Sequence, residues 1–170
     1  NSGGWDDCPP QVYVHQNKLE DRVTPVVTTA HVIRTAKLLR MAALALGLET
    51  TEYDEDIALL GDALHHYAWD EGAGYFSYVC HDEKGSPVSI LRHDSGQNFN
   101  RGLDGVSPLV AGVCIPDQEQ RLVDHLMSER ALWTDYGITA IDRSAAYYRP
   151  DGYWNGAVWM PHQWFMWKTM

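Results

Sequence analysis

Long apolar runs are missing from these 170 residues. No stretch reaches the ~18 apolar residues that a membrane-spanning helix needs. An apolar leader is missing too, so nothing reads as a signal peptide, which favours a soluble, cytoplasmic setting over a secreted or periplasmic one. Positive charge is scarce: 13 Lys and Arg stand against 23 Asp and Glu, a net charge of −10. Such a surface repels phosphate backbones and excludes nucleic acid as a partner. The three cysteines (Cys8, Cys80, Cys114) are too far apart for a metal cluster or a redox pair. Their odd number argues against a disulfide framework. No histidine spacing fits zinc, and neither metal nor cofactor is expected. Phe is rare at three, yet there are seven Trp and nine Tyr. Aromatic rings with a polar handle mark surfaces that are half apolar and half wet, although cores use Trp as well. With 45% hydrophobic residues, the chain can build one domain with a real core.

Two Trp-rich motifs bracket the chain. The first is Gly3-Gly4-Trp5-Asp6-Asp7-Cys8-Pro9-Pro10-Gln11, a carboxylate pair on a loop stiffened by Gly and Pro. The second is Gly152-Tyr153-Trp154-Asn155-Gly156-Ala157-Val158-Trp159-Met160-Pro161-His162-Gln163, which supplies aromatic faces, amides and an imidazole. Carboxylates beside Trp, Asn and Gln are the chemistry of a sugar site. Rings stack on the C–H face of a pyranose, amides and acids bond its hydroxyls, and a carboxylic acid can protonate a glycosidic oxygen. Cys8 is a poor nucleophile, because neighbouring carboxylates suppress its thiolate.

Between the motifs, periodicity predicts mostly helix. Residues 1–23 read as loop. Thr24-Pro25 reads as an N-cap and first helical residue, opening a helix to about Leu46 that stops at Gly47. Its content is apolar enough to be buried on more than one side. Thr51 starts an amphipathic helix on which Tyr53, Ile57, Leu60, Leu64 and Tyr67 share a face. His65 and His66 sit on its solvated side. Residues 75–79 and 88–91 read as a β-hairpin joined through Asp82-Glu83-Lys84-Gly85-Ser86. Ser107 to Val113 is a short apolar helix. Another runs from Pro116 or Asp117 to about Glu129, with Leu122, Val123, Leu126 and Met127 inward. Residues 130–154 are loop-rich, and a last helix begins near Trp159 to Pro161. Buried and amphipathic helices thus alternate, as in stacked helical hairpins. The opening motif is under way by Gly3 and the chain stops at Met170 in an apolar helical run. A segment of a longer protein is expected.

These motifs resemble glycoside hydrolase family 63, which contains processing α-glucosidases and mannosylglycerate- and glucosylglycerate-hydrolase-like enzymes. Gly4-Trp5-Asp6-Asp7-x-Pro resembles that family's acid-bearing loop and the Ser-Gly-Trp-Asp stretch of trehalases in the same clan. Trp69-Asp70 through Gly74-Tyr75-Phe76 is similar to its outer-helix exit. Asp104 through Gly112 is similar to a short inner helix, and Tyr136-Gly137-Ile138 to the loop after the next outer helix. Tyr153-Trp154-Asn155-Gly156-x-Val158-Trp159 resembles its Tyr-Trp-x-Gly-x-x-Trp motif. The matches run in order across nearly the whole chain. The resemblance implies an all-α fold: residues 1–170 as roughly the second half of an (α/α)6 toroid, with a small β-hairpin insertion.

The same resemblance implies an inverting glycosidase cleaving an α-glucosidic or α-mannosidic bond. Asp6 takes the place of the general acid and Asp7 a supporting role. A neighbouring carboxylate and an overlying Trp are surroundings that keep such an acid protonated. The family's motif often has another acid a few residues earlier, where this chain has Asn1 or Ser2. The catalytic base would lie beyond the last helix. Of the loop acids here, Asp94, Asp104 and Asp142, none matches it. Candidate sugar contacts are Trp5, Gln11, Tyr153, Trp154, Asn155, Trp159, His162 and Gln163. Asn155, Trp159, His162, Gln163 and Met166 share one face if the last helix reaches back that far. The expected partners are a carbohydrate and the remainder of the same catalytic domain, with neither nucleic acid nor membrane.

Other readings compete. A sugar epimerase on a similar helical barrel would use paired histidines, His31 and His162, but gives the Asp6 loop no task. A non-catalytic carbohydrate-binding segment fits the missing base. Asp6-Asp7 as a terpene-cyclase metal motif lacks the required later acid, since Pro10 and Gln11 stand there.

Overall fold

The computed structural model describes residues 5–169. Asn1 and Ser2, where the missing acid was sought, lie outside the described residues, as do Gly3, Gly4 and Met170.

Helices carry the architecture, joined by three small antiparallel sheets. The first, α1 (Pro9–Gln16), interrupts a stretch that the sequence reads as loop. Pro9 at its first position loses nothing by lacking an N–H, so Pro-Pro opens a helix as readily as it stiffens a loop. Strand β1 (Val23–Thr24) follows. Helix α2 (Val26–Ala45) then has Pro25 as its N-cap, not Thr24. Thr24 pairs with Val79 in a sheet, and its hydroxyl meets the His81 ring at 2.9 Å. The helix ends as expected. Gly47 takes φ +69, and the N–H groups of Gly47 and Leu48 return to the carbonyls of Leu44 and Ala43.

Helix α3 (Thr51–Ala63) runs on into a π-helical turn, Leu64–Ala68. The wider turn shifts the phase of the helix. Leu64 and Ala68 are therefore buried, while Tyr67, expected on the inner face, is 51% exposed. His66 is exposed and His65 half-buried.

The expected hairpin is split in two. Strand β2 (Trp69–Asp70) takes β3 (Tyr75–Phe76) as its partner. The Asp70 carboxylate accepts the N–H groups of Gly72 and Ala73, which closes a turn tight enough to fold β3 back on β2. Strand β4 (Val79–His81) pairs with β5 (Pro87–Ile90) on one side and β1 on the other.

Helix α4 (Leu103–Ala111) starts four residues before the expected Ser107 and is buried almost all round. Pro108 inside it removes an N–H, and the Ser107 hydroxyl donates to the Asp104 carbonyl at 2.7 Å. Gly105 is there for proximity. A Cβ at that position would collide with the carbonyl oxygens of Asn100 and, at 2.7 Å, of Phe76. Helix α5 (Pro116–Leu126) buries Leu122 and Leu126 and half-buries Val123. Met127 falls at its C-cap and is 51% exposed, against the expected inward position. Strands β6 (Trp133–Thr134) and β7 (Gly137–Ile138) form the third sheet, within a stretch read as loop. Helix α6 (Met160–Thr169) completes the order.

Helix α2 packs on α3 and α4, and α4 also packs on α5 and α6. The core centres on Ile33, Tyr75, Phe76, Tyr78, Val106 and Leu122. Only one side of α2 reaches it. Val26, Ala30, Ile33 and Ala36 are buried, but Val32, Leu38, Leu39, Met41 and Leu44 are 46–64% exposed. The expectation of burial on several sides fails because α3 and α4 cover a single face. No helix among the described residues is long and apolar enough to cross a membrane.

Candidate active site

The two Trp-rich motifs, at opposite ends of the chain, meet. Trp5 to Cys8 form a turn closed by the Cys8 N–H on the Trp5 carbonyl at 3.1 Å. Asp7 turns toward the far motif and accepts the Trp154 N–H at 2.6 Å. The Trp5 ring lies parallel to that of Trp154, centroids 5.4 Å apart at 4°. Trp159 covers the other side of this cluster, stacked on Trp154 at 4.1 Å. His162 sets its edge against Trp5 at 4.6 Å and Trp154 at 5.3 Å. Asp7 is thus structural in part, and Asp6 beside it is exposed.

Two cavities flank Trp5. One, of about 540 Å³, is lined by Trp5, Gln11, His31, Arg34, Trp154 and His162, among others from α2, α4 and α6. The other, of about 570 Å³, is lined by Trp5, Asp6 and Gln11 with His15, Glu20 and Tyr78. Trp5 and Gln11 belong to both, so Asp6 and His162 stand on two sides of one partition. Such volumes suit a small ligand. Glu20 is tied to His15 at 2.8 Å.

Burial, and then repulsion from His31 once that ring is protonated, hold the His162 imidazole down at about 4, so it is neutral near pH 7. Its Nδ1 and the Trp154 Nε1 are enclosed without a partner among the described residues. Unpaired buried polar atoms cost stability and are offset when a ligand bonds them. Arg34 lies over the Phe165 ring at 5.3 Å.

The remaining candidates stand behind this surface. Helix α6 begins at Met160, so Asn155 and Trp159 precede it and the proposed single helical face does not form. The Gln163 amide is engaged by β7, accepting from the Ile138 N–H at 2.7 Å and donating to its carbonyl at 2.8 Å. Trp159 donates its Nε1–H to the Tyr153 carbonyl, and Tyr153 rests edge-on against Trp159. Neither cavity has Tyr153, Asn155, Trp159 or Gln163 in its lining.

The acids called loop acids sort differently. Asp94 is exposed in a loop. Asp142 is fully buried and bonded to Arg101, Tyr75 and Ser144. Asp104 belongs to the first turn of α4 and is 2% exposed. Cys8 is fully buried, and burial and then Asp104 push its thiol well up, which removes the nucleophile reading. All three cysteines are free. Sequence reasoning gave no role to Tyr78 and Arg34 and weighed Asp104 only as a loop acid, whereas it stands in the first turn of α4.

The family model of the mannosylglycerate hydrolase MGH1-like glycoside hydrolase domain matches residues 5–170. No curated protein matches the chain. Among solved structures, a GH63 mannosylglycerate hydrolase from Thermus thermophilus in complex with glucose is similar over 94% of this chain and 36% of its own, at TM-score 0.69 and 20% identity. The same hydrolase with Tris is similar over 86% of this chain and 32% of its own, at TM-score 0.67 and 22% identity. An uncharacterized conserved protein from Thermus thermophilus covers 86% and 34%, at TM-score 0.66 and 23% identity. At these identities the likeness is one of fold. The chain spans 32–36% of the length of these structures. The family match extends over nearly every residue, the Trp5-Asp6 turn and the Trp154 motif included, and the chain belongs to the mannosylglycerate hydrolase MGH1-like glycoside hydrolase domain family.

Proposed function

We propose that this chain is part of an inverting glycosidase that cleaves an α-mannosidic or α-glucosidic bond, with Asp6 as its general acid. One observation carries the reading. The Asp7 carboxylate and the Trp5 ring are both spent on Trp154, which fixes the turn and leaves Asp6 exposed at a cavity mouth. In the reaction, Asp6 gives its proton to the glycosidic oxygen as the bond from that oxygen to C1 breaks. Water attacks C1 from the opposite face and passes its proton to a second carboxylate, ~6.5–9.5 Å from the first.

We place that second carboxylate in the part of the enzyme that this chain does not span. Asp104 and Asp142 are buried and engaged, Asp94 lines neither cavity, and Glu20 is held by His15. The chain then forms part of the wall of an (α/α)6 barrel. The exposed apolar face of α2 is where the remainder of the same domain packs. Trp5, Gln11, Trp154 and His162 contact the sugar. Tyr153, Asn155, Trp159 and Gln163 hold Trp154 and His162 in place. The substrate is a small glycoside of the kind for which the Thermus thermophilus hydrolase is named, a sugar joined to glyceric acid. His31 and His162 do share a cavity, as an epimerase would need, but that reading leaves Asp6 idle and has no support from the family.

The test is Asp6→Asn in the full-length protein. The amide keeps the size of the acid but has no proton to give, and general acid catalysis is worth about 10²–10⁴-fold. Hydrolysis should fall by at least that much with the thermal midpoint unchanged, and early product should show the inverted anomer by NMR. Retained configuration would exclude the inverting route, and a mild effect would move the acid to Asp7.

A further inference from the structure

A buried polar cluster lies directly behind the acid turn. Asp104 sits in the first turn of α4, and its Oδ2 accepts hydrogen bonds from the Tyr78 hydroxyl at 2.6 Å, Cys8 Sγ at 3.6 Å and Asn100 Nδ2 at 3.4 Å. Its Oδ1 is enclosed without a partner among the described residues. Cys8 closes the turn that displays Asp6, through its own N–H on the Trp5 carbonyl. Tyr78 is 1% exposed and its hydroxyl also meets the Gln11 side chain, which lines both cavities. Cys8 of the acid turn and Tyr78 of the cavity wall therefore lean on one carboxyl.

For folding alone this is a poor choice. A buried carboxyl with one oxygen unbonded costs more than an apolar side chain of the same size. Burial shifts Asp104 up to about 6, which records that cost. What the carboxyl supplies is a compact acceptor on which a thiol and a phenol from two different segments converge.

We propose that Asp104 is a positioning residue for the reaction. Acting through Cys8 and Tyr78, it sets where the Trp5-Asp6 turn stands and hence where Asp6 meets the leaving oxygen. This rests on the reading of Asp6 as the acid. A displaced acid has a signature that general loosening of the fold lacks. Substrates that need strong protonation of the leaving group suffer, and those that need little are spared.

The experiment uses full-length enzyme, the α-mannoside and α-glucoside of glyceric acid, and the two corresponding glycosyl fluorides. Asp104→Asn and Cys8→Ala should each lower kcat on the glycoside about tenfold or more, with KM within about twofold, and lower the fluoride rate far less. Cys8→Ser, whose hydroxyl can still donate to Asp104, should restore most of the rate. The double variant Cys8→Ala/Asp104→Asn should be no worse than Asp104→Asn alone, since the Cys8 thiol acts only through Asp104. Equal losses on glycoside and fluoride would overturn the proposal, as would wild-type rates in Cys8→Ala. If Asp104→Asn does not fold, the Cys8 pair alone decides. If Asp6→Asn is itself mild, the acid assignment has failed. If Asp6→Asn is severe while Cys8→Ala and Asp104→Asn are neutral, only the positioning role has failed.

Discussion

Two walls of this molecule use apolar side chains in opposite ways. The wall built by β3, α4, α5 and residues 98–145 encloses them: Phe76, Val106, Leu122 and Leu132 are all fully buried. Its polar groups are enclosed too: Asp142 is bonded by Arg101, Tyr75 and Ser144, while Arg101 Nε and Asp104 Oδ1 have no partner among the described residues. The wall built by α2, α6 and the Trp154 motif leaves Leu39, Met41 and Trp167 at 49–66% exposure and keeps unpartnered polar atoms on His162 and Trp154. The first wall is finished by its own chain. The second is shaped for something to be placed against it: a ligand at the Trp5 end and, as proposed, the rest of the domain along α2.

The finished wall should tolerate least. Gly105→Val should break it outright, because a side chain there has to displace the Asn100 and Phe76 backbone; a loss of about 4 kcal/mol or more is expected. Denaturant titration of full-length protein measures it, and a loss below about 1 kcal/mol would mean that α4 can move aside. Asp142→Ala comes next. It leaves the Tyr75 hydroxyl without its acceptor and half-buried Arg101 with Ser144 in place of a carboxylate, so the loss should be about 3 kcal/mol, the low end for breaking a buried pair.

The sharpest contrast pairs Leu122→Ala with Leu39→Ala. Leu122 is fully buried and its truncation should cost about 2–5 kcal/mol. Leu39 is 49% exposed here, and on the present surface its loss should stay within about 0.5 kcal/mol. In full-length protein the proposal of a covered α2 face predicts otherwise, with Leu39→Ala costing about 2 kcal/mol or more. A small effect there would mean that α2 faces solvent in the complete enzyme as well.

The same contrast governs what could be read from sequence. Helix α2 and its stop at Gly47, α5 and α6 were legible, because periodicity and caps are local signals. The phase slip after Ala63 was not, since a π-turn leaves no mark in composition, and Tyr67 was misplaced with it. Helix α1 was lost because Pro-Pro reads equally as loop. At the site, Trp5 and His162 were legible as chemistry, and the structure brings them together. Trp159 and Gln163 were expected toward a sugar, whereas one ring covers Trp154 and the other side chain is bonded to β7. Residue type says what a side chain can bind but not which partner reaches it first. The contact between Asp104 and Cys8 spans 96 positions, and no local pattern announces it.

The last effect is one of pH, and it divides the walls by sign. His162 on the open wall is held down to about 4 by burial and by His31. Above its unfolded value of about 6.5 it is neutral in both states. As pH falls from there toward 4, the unfolded chain takes a proton that the fold refuses, so stability is lost across that window. Asp104 behind the finished wall runs the other way. Burial raises it to about 6, so its contribution is intact below about 3.8 and is lost as pH rises through 6. Between pH 4 and 6 the two slopes oppose each other in the native protein. Thermal midpoints across that range should separate them: His162→Gln should flatten the acid loss, and Asp104→Asn should steepen it. His125, lowered chiefly by burial, adds to the acid loss in all three proteins and cancels from the comparison, while His31, which interacts with His162, titrates with it as a pair. Parallel profiles for the two variants would mean that neither group is held away from its ordinary protonation by the fold.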